Sequence, residues 1–185
     1  MQEINRLREI YRLKEVERSN SVGVRKESSA EHSWSCLILA DYFLSKSKLK
    51  INRLKVYELL MYHDLVEIET GDICISKVEE RKNKDENERK ASAILAQKLP
   101  SPLQKKFKYL FQEFLEQKTI ESRFAKAIDH LDAELHELDY KEDWKGWTEE
   151  FLRSKKEHLF KEFPEMADVF EKVMVWARKE GFFSQ

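Results

Sequence analysis

Apolar residues recur every three or four positions along most of this sequence, and few segments alternate apolar and polar residues. The first spacing is typical of amphipathic helices and the second of strands, so the pattern predicts an all-α fold. Only 4 glycines and 3 prolines interrupt it, which favours long helices. We expect about eight helices: 2–13, one starting at 28, 52–69, 79–99, one after Pro102, one after Thr119, and two more around 148–162 and 165–180.

Helix boundaries can be predicted from capping residues. Ser28 followed by Glu31 fits a capping box, in which each side chain satisfies a free backbone N–H of the other residue. Asn52 and Thr119 are suitable N-caps, and Gly71 is a suitable helix end. These residues therefore predict where the second, third and sixth helices begin and where the third ends.

The amino-terminal 28 residues divide into a helix and a connection. The helix carries Ile4, Leu7, Ile10 and Tyr11 on one face. The following stretch, 14–28, is polar and contains a glycine, and it is predicted to be an irregular loop.

Charge excludes some classes of partner. The 185 residues are 41% apolar and 37% charged, a mixture that indicates a folded domain with a heavily charged surface. Because 34 basic and 35 acidic residues leave a net charge of −1, we expect no nucleic-acid partner. An anionic ligand must then be recognised by a local site.

The sequence indicates a cytoplasmic protein. No stretch approaches the roughly 20 apolar residues of a membrane span, so no membrane partner is expected. The first residues are charged and helix-like, without the apolar core of a signal peptide. Cys36 and Cys74 show no paired metal-binding spacing, and we expect both thiols to be free in a reducing compartment.

Candidate chemistry comes from polar residues in apolar surroundings. His63 and Asp64 lie within LLMYHDLVEI, and burying both side chains is costly unless each has a strong partner. A divalent cation is such a partner for an imidazole nitrogen and a carboxylate oxygen. His32 is a natural third ligand at a helix start. For a fourth ligand, AKAIDHLDAEL offers Asp129 and Asp132, and spacing leaves that choice open.

Three segments in this order, AEHSW, MYHDLVEIETGD and AKAIDHLDAEL, resemble the HD-domain phosphohydrolases, and particularly their 5′-deoxynucleotidase subgroup. The resemblance extends from about LKEVERSNS to ELDYKEDWKGW. It implies that the metal ligands are His32, His63, Asp64 and Asp129. The family's K-x-x-D-x-L element, which falls on residues 126–131, favours Asp129 over Asp132.

The same resemblance implies the other site residues. Glu67 and Asp72 match the acidic residues assigned to catalysis, and Arg18 matches a basic residue that holds the substrate phosphate. Lys77 resembles a second phosphate-binding position. The family often has an aromatic residue shortly after the arginine, and this chain instead has the polar sequence 19–21, Ser-Asn-Ser.

The resemblance also predicts one metal ion. Dinuclear HD enzymes have extra histidines after the HD pair, and no histidine lies between His63 and His130. Four protein ligands leave open positions only if the ion is five- or six-coordinate, which favours Co²⁺, Mn²⁺, Fe²⁺ or Mg²⁺ over Zn²⁺.

Taken together, we predict a single HD domain over residues 1–185. Its metal site comes from residues 32–129, and helices around 148–180 pack on it. The predicted function is a metal-dependent 5′-nucleotidase that acts on deoxyribonucleoside monophosphates. A phosphodiesterase or other nucleotide phosphohydrolase on this scaffold, and a catalytically idle nucleotide-binding module, are the alternatives. The resemblance implies a homodimer, whereas we expect the aromatic segment around Trp144 and Trp147 to belong to the core.

Overall fold

The computed structural model describes the backbone of residues 1–184. It also describes their side chains, except those of residues 78, 80 and 85. Eight helices of eight residues or more lie within this part of the chain, so the all-α prediction is confirmed. The helices are α1 Gln2–Tyr11, α2 Ser29–Lys46, α3 Arg53–Tyr62, α4 Glu67–Thr70, α5 Val78–Arg81, α6 Lys84–Lys98, α7 Ser101–Glu116, α8 Ile120–His136, α9 Glu149–Lys156 and α10 Pro164–Lys179. Short 3₁₀ turns cover Arg12–Glu15, Glu137–Asp139, Lys141–Trp144 and Glu157–Phe160.

The capping residues lie where the sequence predicted them. Ser28 and Glu31 form the full capping box at the start of α2. The side chains of Asn52 and Thr119 cap α3 and α8 by accepting the backbone N–H of Lys55 and of Ser122. Gly71 follows α4 with a φ of 70°, a backbone conformation that favours glycine.

The predicted loop over 14–28 is wrong. The chain continues from α1 through a 3₁₀ turn and then forms an antiparallel hairpin of β1 (Glu17–Val22) and β2 (Arg25–Ser28). The strands turn at Gly23, which has a φ of 58°. Both strands are largely polar, so they carry no apolar alternation that would signal a strand. Contacts to distant parts of the chain hold the hairpin, such as those of Ser21 with Asp143.

The predicted continuous helix over 52–69 breaks after Tyr62. The His63 Nδ1 atom lies 2.7 Å from the Leu60 carbonyl oxygen, which a continuing helix would bond to the N–H of residue 64. Beyond the break the backbone makes i→i−3 bonds, as from Glu67 N to Asp64 O at 2.9 Å. The histidine and aspartate therefore lie in a tight turn between α3 and α4 rather than on a regular helix.

Two further predictions need correction in detail. The helix expected over 79–99 is divided into α5 and α6, and the one around 148–162 ends as a 3₁₀ turn. The apolar face of α1 is mostly exposed, with Ile4 at 55%, Leu7 at 46% and Tyr11 at 61% of full exposure. Only Ile10 of that face packs against the core.

The core lies where α2, α3 and α8 pack against one another, with α7 beside α3 and α8. The carboxyl-terminal helix α10 packs against α8 and α2. Trp144 is 1% exposed and Trp147 packs partly buried against the core, as expected. Among the described helices, none has the length and apolar character needed to cross a membrane. The central position of α2 and α8 brings their polar residues to the turn at 63–64.

Candidate metal centre and active site

Four side chains from three parts of the fold meet beside the core. His32 comes from α2, His63 and Asp64 from the turn after α3, and Asp129 from α8. Asp129 Oδ1 lies 3.1 Å from His32 Nε2 and 3.8 Å from His63 Nε2. Asp64 places one carboxylate oxygen 3.2 Å from His63 Nε2 and the other 3.9 Å from His32 Nε2. The structure therefore brings together the four residues predicted as metal ligands.

The orientation of His63 leaves a nitrogen lone pair facing this cluster. A carbonyl oxygen only accepts hydrogen bonds, so the 2.7 Å contact of His63 Nδ1 with Leu60 O places the ring proton on Nδ1. Burial lowers the pKa of His63, which favours the neutral ring. His63 Nε2 is then a buried acceptor, and it makes no hydrogen bond to the described residues. A lone pair that faces carboxylate oxygens requires a cation between them, so the donors fit a metal ion.

A second aspartate holds His32 from the opposite side. Asp132 Oδ2 lies 2.9 Å from His32 Nδ1 and also accepts a hydrogen bond from Ser35 Oγ at 2.8 Å. Such a carboxylate–histidine pair fixes the tautomer that leaves Nε2 available to a metal. Burial opposes a charged His32 ring, yet its pKa is well above the ordinary value, with the hydrogen bonds to Asp129 and Asp132 among the causes. An imidazole ring between two carboxylates is stabilised by a positive charge. Either a second ring proton or a metal ion bound at Nε2 can provide that charge.

Asp129 is ionised for metal binding. Burial alone would raise the pKa of this carboxyl, but Lys126 and His32 hold it well below its ordinary value. Lys126 Nζ donates to Asp129 Oδ2 at 2.8 Å, so Oδ1 remains directed toward the histidines. Asp129 and Asp132 thus lie on different sides of His32, a difference that residue spacing did not reveal.

Arg18 reaches the cluster from β1. Its guanidinium donates to Glu27 at 3.2 Å and to Asp64 at 3.4 Å, and it lies 4.0 Å from Asp72. Burial works against the charge, but Asp64 and Asp72 keep the pKa of Arg18 above its usual value. A buried, permanently charged guanidinium is thereby held beside the candidate metal site.

The two predicted catalytic acids lie on the wall of the same cavity. Glu67 is 4% exposed and accepts a hydrogen bond from Ser29 Oγ at 2.7 Å. Burial, together with the charges of Asp64 and Asp72, raises the pKa of Glu67 well above its ordinary value. Asp72 follows the helix end at Gly71 and faces Arg18.

Lys77, the second residue predicted to bind phosphate, does not lie on the cavity wall with Arg18. It is an exposed residue at the start of α5 and is not among the residues that line the cavity. The basic side chains on the wall beyond Arg18 are Arg81, Lys84, Lys126 and Lys156. Of these, only Lys126 carried a sequence signal, since it begins the K-x-x-D element.

The cavity has a volume of about 210 Å³ and extends well beyond the four candidate ligands. Its further wall includes Asn20, His130 and Glu137, and of these only Asn20 belongs to a segment that the sequence pointed to, the polar stretch 19–21. Burial and the Lys126 charge lower the pKa of His130 well below its ordinary value, so its ring is neutral. These residues come from β1, from α8 and from the 3₁₀ turn that follows α8, and only the tertiary fold places them side by side.

Cys36 offers an alternative ligand. Ligand atoms of His32, Cys36 and His63 lie within 4.8 Å of one another, and the thiol is 3.5 Å from His32 Nε2. Burial, however, raises the pKa of Cys36 to about 12, so forming the thiolate that binds a metal is costly here, whereas the Asp129 carboxylate is already ionised. The carboxylate side of the two histidines, with Asp64 and Asp129, is therefore the better position for an ion.

A family model described as HD domain matches residues 10–167, and the chain belongs to this family. The resemblance to the HD-domain phosphohydrolases predicted from the sequence is thus confirmed.

Particular relatives fit this assignment. A Bos taurus protein named 5′-deoxynucleotidase HDDC2 is 30% identical over 139 residues, which are 74% of this chain and 66% of that protein. The Xenopus laevis protein of the same name is 29% identical over 64% of this chain and 57% of its own length. The matched region therefore spans less than two thirds of these two relatives.

Solved structures agree on the fold. A crystal structure titled as a predicted metal-dependent phosphohydrolase from Magnetospirillum magnetotacticum superposes with a TM-score of 0.84 at 28% identity, covering 100% of this chain and 95% of that one. A Pyrococcus furiosus protein superposes with a TM-score of 0.68 at 23% identity over 92% of this chain and 98% of its own, which shows the shared fold alone.

Proposed function

We propose that this protein is a metal-dependent phosphomonoesterase that hydrolyses deoxyribonucleoside 5′-monophosphates to deoxynucleoside and inorganic phosphate. The observation that carries the proposal is the buried His63 Nε2, which has no hydrogen-bond partner within the described part of the chain and faces two carboxylates beside the guanidinium of Arg18. The relatives named 5′-deoxynucleotidase support the choice of substrate.

In the proposed site, His32, His63, Asp64 and Asp129 hold one divalent ion. When bound, such an ion lowers the pKa of water and neutralises charge on a phosphate oxygen. A donor set of two nitrogens and two carboxylates that leaves positions open suits Co²⁺, Mn²⁺, Fe²⁺ or Mg²⁺ better than Zn²⁺. Asp132 keeps His32 in the required orientation through its 2.9 Å contact with Nδ1.

The chain's own residues carry out the proton transfers. Arg18 binds the phosphate oxygens through its planar guanidinium. Glu67, which lines the cavity beside Asp64, accepts a proton from the attacking water as the new P–O bond forms. Asp72 delivers a proton to the 5′ oxygen as the bond from phosphorus to that oxygen breaks. One water is consumed and no other reactant is needed.

Phosphate release from a panel of phosphate esters tests this function. After EDTA treatment, the protein should release no phosphate, and added Co²⁺ or Mn²⁺ should restore hydrolysis of deoxyribonucleoside 5′-monophosphates. Cleavage of a bis-aryl phosphate diester but not of monoesters would indicate a phosphodiesterase instead. Absence of hydrolysis with every metal would indicate an idle nucleotide-binding module.

We also propose a homodimer. Trp34, Ile38 and Tyr42 lie four residues apart along α2 and are 66%, 59% and 48% exposed. Large apolar side chains repeated on one helix face are typical of association surfaces. Light scattering should give the molar mass of two chains, and the mass of one chain would contradict the proposal.

Two further proposals concern the whole chain. Residues 1–185 form a single HD domain, supported by the packing of α10 on α8 and α2, and limited proteolysis should release no stable smaller fragment.

The protein works in the cytoplasm, supported by the unpaired Cys36 and Cys74, and cell fractionation should recover it there.

A further inference from the structure

The cavity continues from the candidate metal centre along β1 and α8. On β1, Arg18 and Asn20 both line it, and two residues of strand span roughly 6.6 Å. Asp129 and Ala133 on α8 and Glu137, the first residue of the following 3₁₀ turn, line it at intervals of four residues, so eight residues at the helical rise span about 12 Å. This length is comparable with the reach from a phosphate across a deoxyribose to the edge of a base. The small side chain of Ala133 leaves space midway.

Two buried polar side chains meet at the far end. Asn20 Nδ2 donates to Glu137 Oε1 at 2.8 Å, and the residues are 4% and 9% exposed. Lys156, which is 4% exposed, is hydrogen-bonded to Glu134 beside them. These contacts keep the buried polar groups hydrogen-bonded, so the far end of the cavity is a polar wall rather than an apolar one.

Attachment of the hairpin does not by itself explain the Asn20–Glu137 pair. Ser21 already binds the carboxylate of Asp143 through its backbone N–H at 2.7 Å and its hydroxyl at 2.8 Å. The Ser21 carbonyl oxygen also accepts from His136 Nε2 at 2.7 Å. None of these three residues lines the cavity, whereas Asn20 and Glu137 both do.

The chemistry of the pair suits an uncharged, hydrogen-bonding ligand. Burial and the nearby Glu134 raise the pKa of Glu137 to about 8, so its carboxyl carries a proton at neutral pH and both donates and accepts. The Asn20 carboxamide likewise has a donor and an acceptor. Nucleobase edges present donors and acceptors side by side.

We propose that Asn20 and Glu137 form the subsite that binds the nucleobase of a nucleoside monophosphate whose phosphate lies at the metal centre. This inference rests on the proposed function and adds the residues that read the base. It also explains the polar residue at position 20. Asn20 on β1 would bind the nucleobase by hydrogen bonds, in the segment where the family often has an aromatic residue.

The test compares a nucleotide with the same phosphate ester lacking a base. For Glu137→Gln and Asn20→Ala, kcat/KM is measured with a deoxyribonucleoside 5′-monophosphate and with deoxyribose 5-phosphate. The ratio of the two values should fall about tenfold or more, mainly through KM for the nucleotide. Ser21→Ala is the matched control, since it removes a hairpin contact outside the cavity, and it should keep the wild-type ratio.

A wild-type measurement complements the variants. Titration with a deoxynucleoside that lacks phosphate should shift the NMR signals of the Asn20 side-chain amide. An equal fall of both kcat/KM values, or an unmoved Asn20 amide, would show that the pair only attaches the hairpin. If the wild-type protein hydrolyses neither ester, the proposed function itself fails, which is a distinct outcome.

Discussion

Glu67→Gln is expected to lower kcat by about 10²–10⁴-fold while the protein still binds its metal ion. The substitution removes the ability to accept a proton, yet a carboxamide oxygen still accepts the hydrogen bond that Ser29 donates at 2.7 Å. Because Glu67 lies on the cavity wall outside the four candidate ligands, metal content should stay at the wild-type level. Steady-state phosphate release and elemental analysis of the same preparation measure the two quantities.

Glu69→Gln is the matched control for this substitution. Glu69 belongs to the same short helix, but it binds Lys98 at 2.6 and 2.8 Å and does not line the cavity. Its kcat should stay near the wild-type value. Loss of metal together with turnover in Glu67→Gln would make Glu67 a ligand, and unchanged turnover would remove it from catalysis.

Asp129→Asn and Asp132→Asn are expected to differ sharply in metal binding. Asp129 faces both histidine Nε2 atoms at 3.1 and 3.8 Å, so loss of its charge should abolish metal binding and activity together. Asp132 contacts only the Nδ1 side of His32, at 2.9 Å, and its loss should weaken metal binding by about 10–100-fold. Excess metal should then restore activity to Asp132→Asn but not to Asp129→Asn.

Competition with a chromophoric chelator measures both affinities. Each substitution replaces a carboxylate by a carboxamide of nearly the same shape on the same helix, so each serves as a control for the other's effect on folding. Equal loss of metal in the two variants, or wild-type affinity in Asp129→Asn, would contradict the assigned positions of the two aspartates.

Local signals in the sequence predicted much of the helical framework. Ser28, Asn52 and Thr119 cap helices where expected, because a cap depends on residues within one turn of it. The β hairpin escaped prediction, since contacts such as Ser21 to Asp143, 122 residues apart in sequence, hold its polar strands. The break after Tyr62 was also missed, because helical periodicity continues through it while the His63 ring contacts the Leu60 carbonyl.

In the candidate site, too, local sequence signals predicted some residues, and contacts between distant parts of the chain determine the others. A histidine and an aspartate in an apolar segment indicated a metal centre, and motif resemblance indicated its partners. Residue spacing did not distinguish Asp129 from Asp132. The packing of α8 against His32 does, because Asp129 contacts Nε2 of that ring and Asp132 contacts Nδ1. The sequence marked Asn20 only as part of the polar stretch 19–21 and did not mark Glu137, because 117 residues separate the two partners of their hydrogen bond.

The central claim is that one divalent ion binds between His32, His63, Asp64 and Asp129, and anomalous scattering from a crystal soaked in Mn²⁺ or Co²⁺ tests it most directly. We expect one anomalous peak within bonding distance of Nε2 of both histidines and of carboxylate oxygens of both aspartates. A peak between the two histidines and Cys36 Sγ, remote from Asp64 and Asp129, would contradict the claim, as would a fully soaked crystal with no peak at this site.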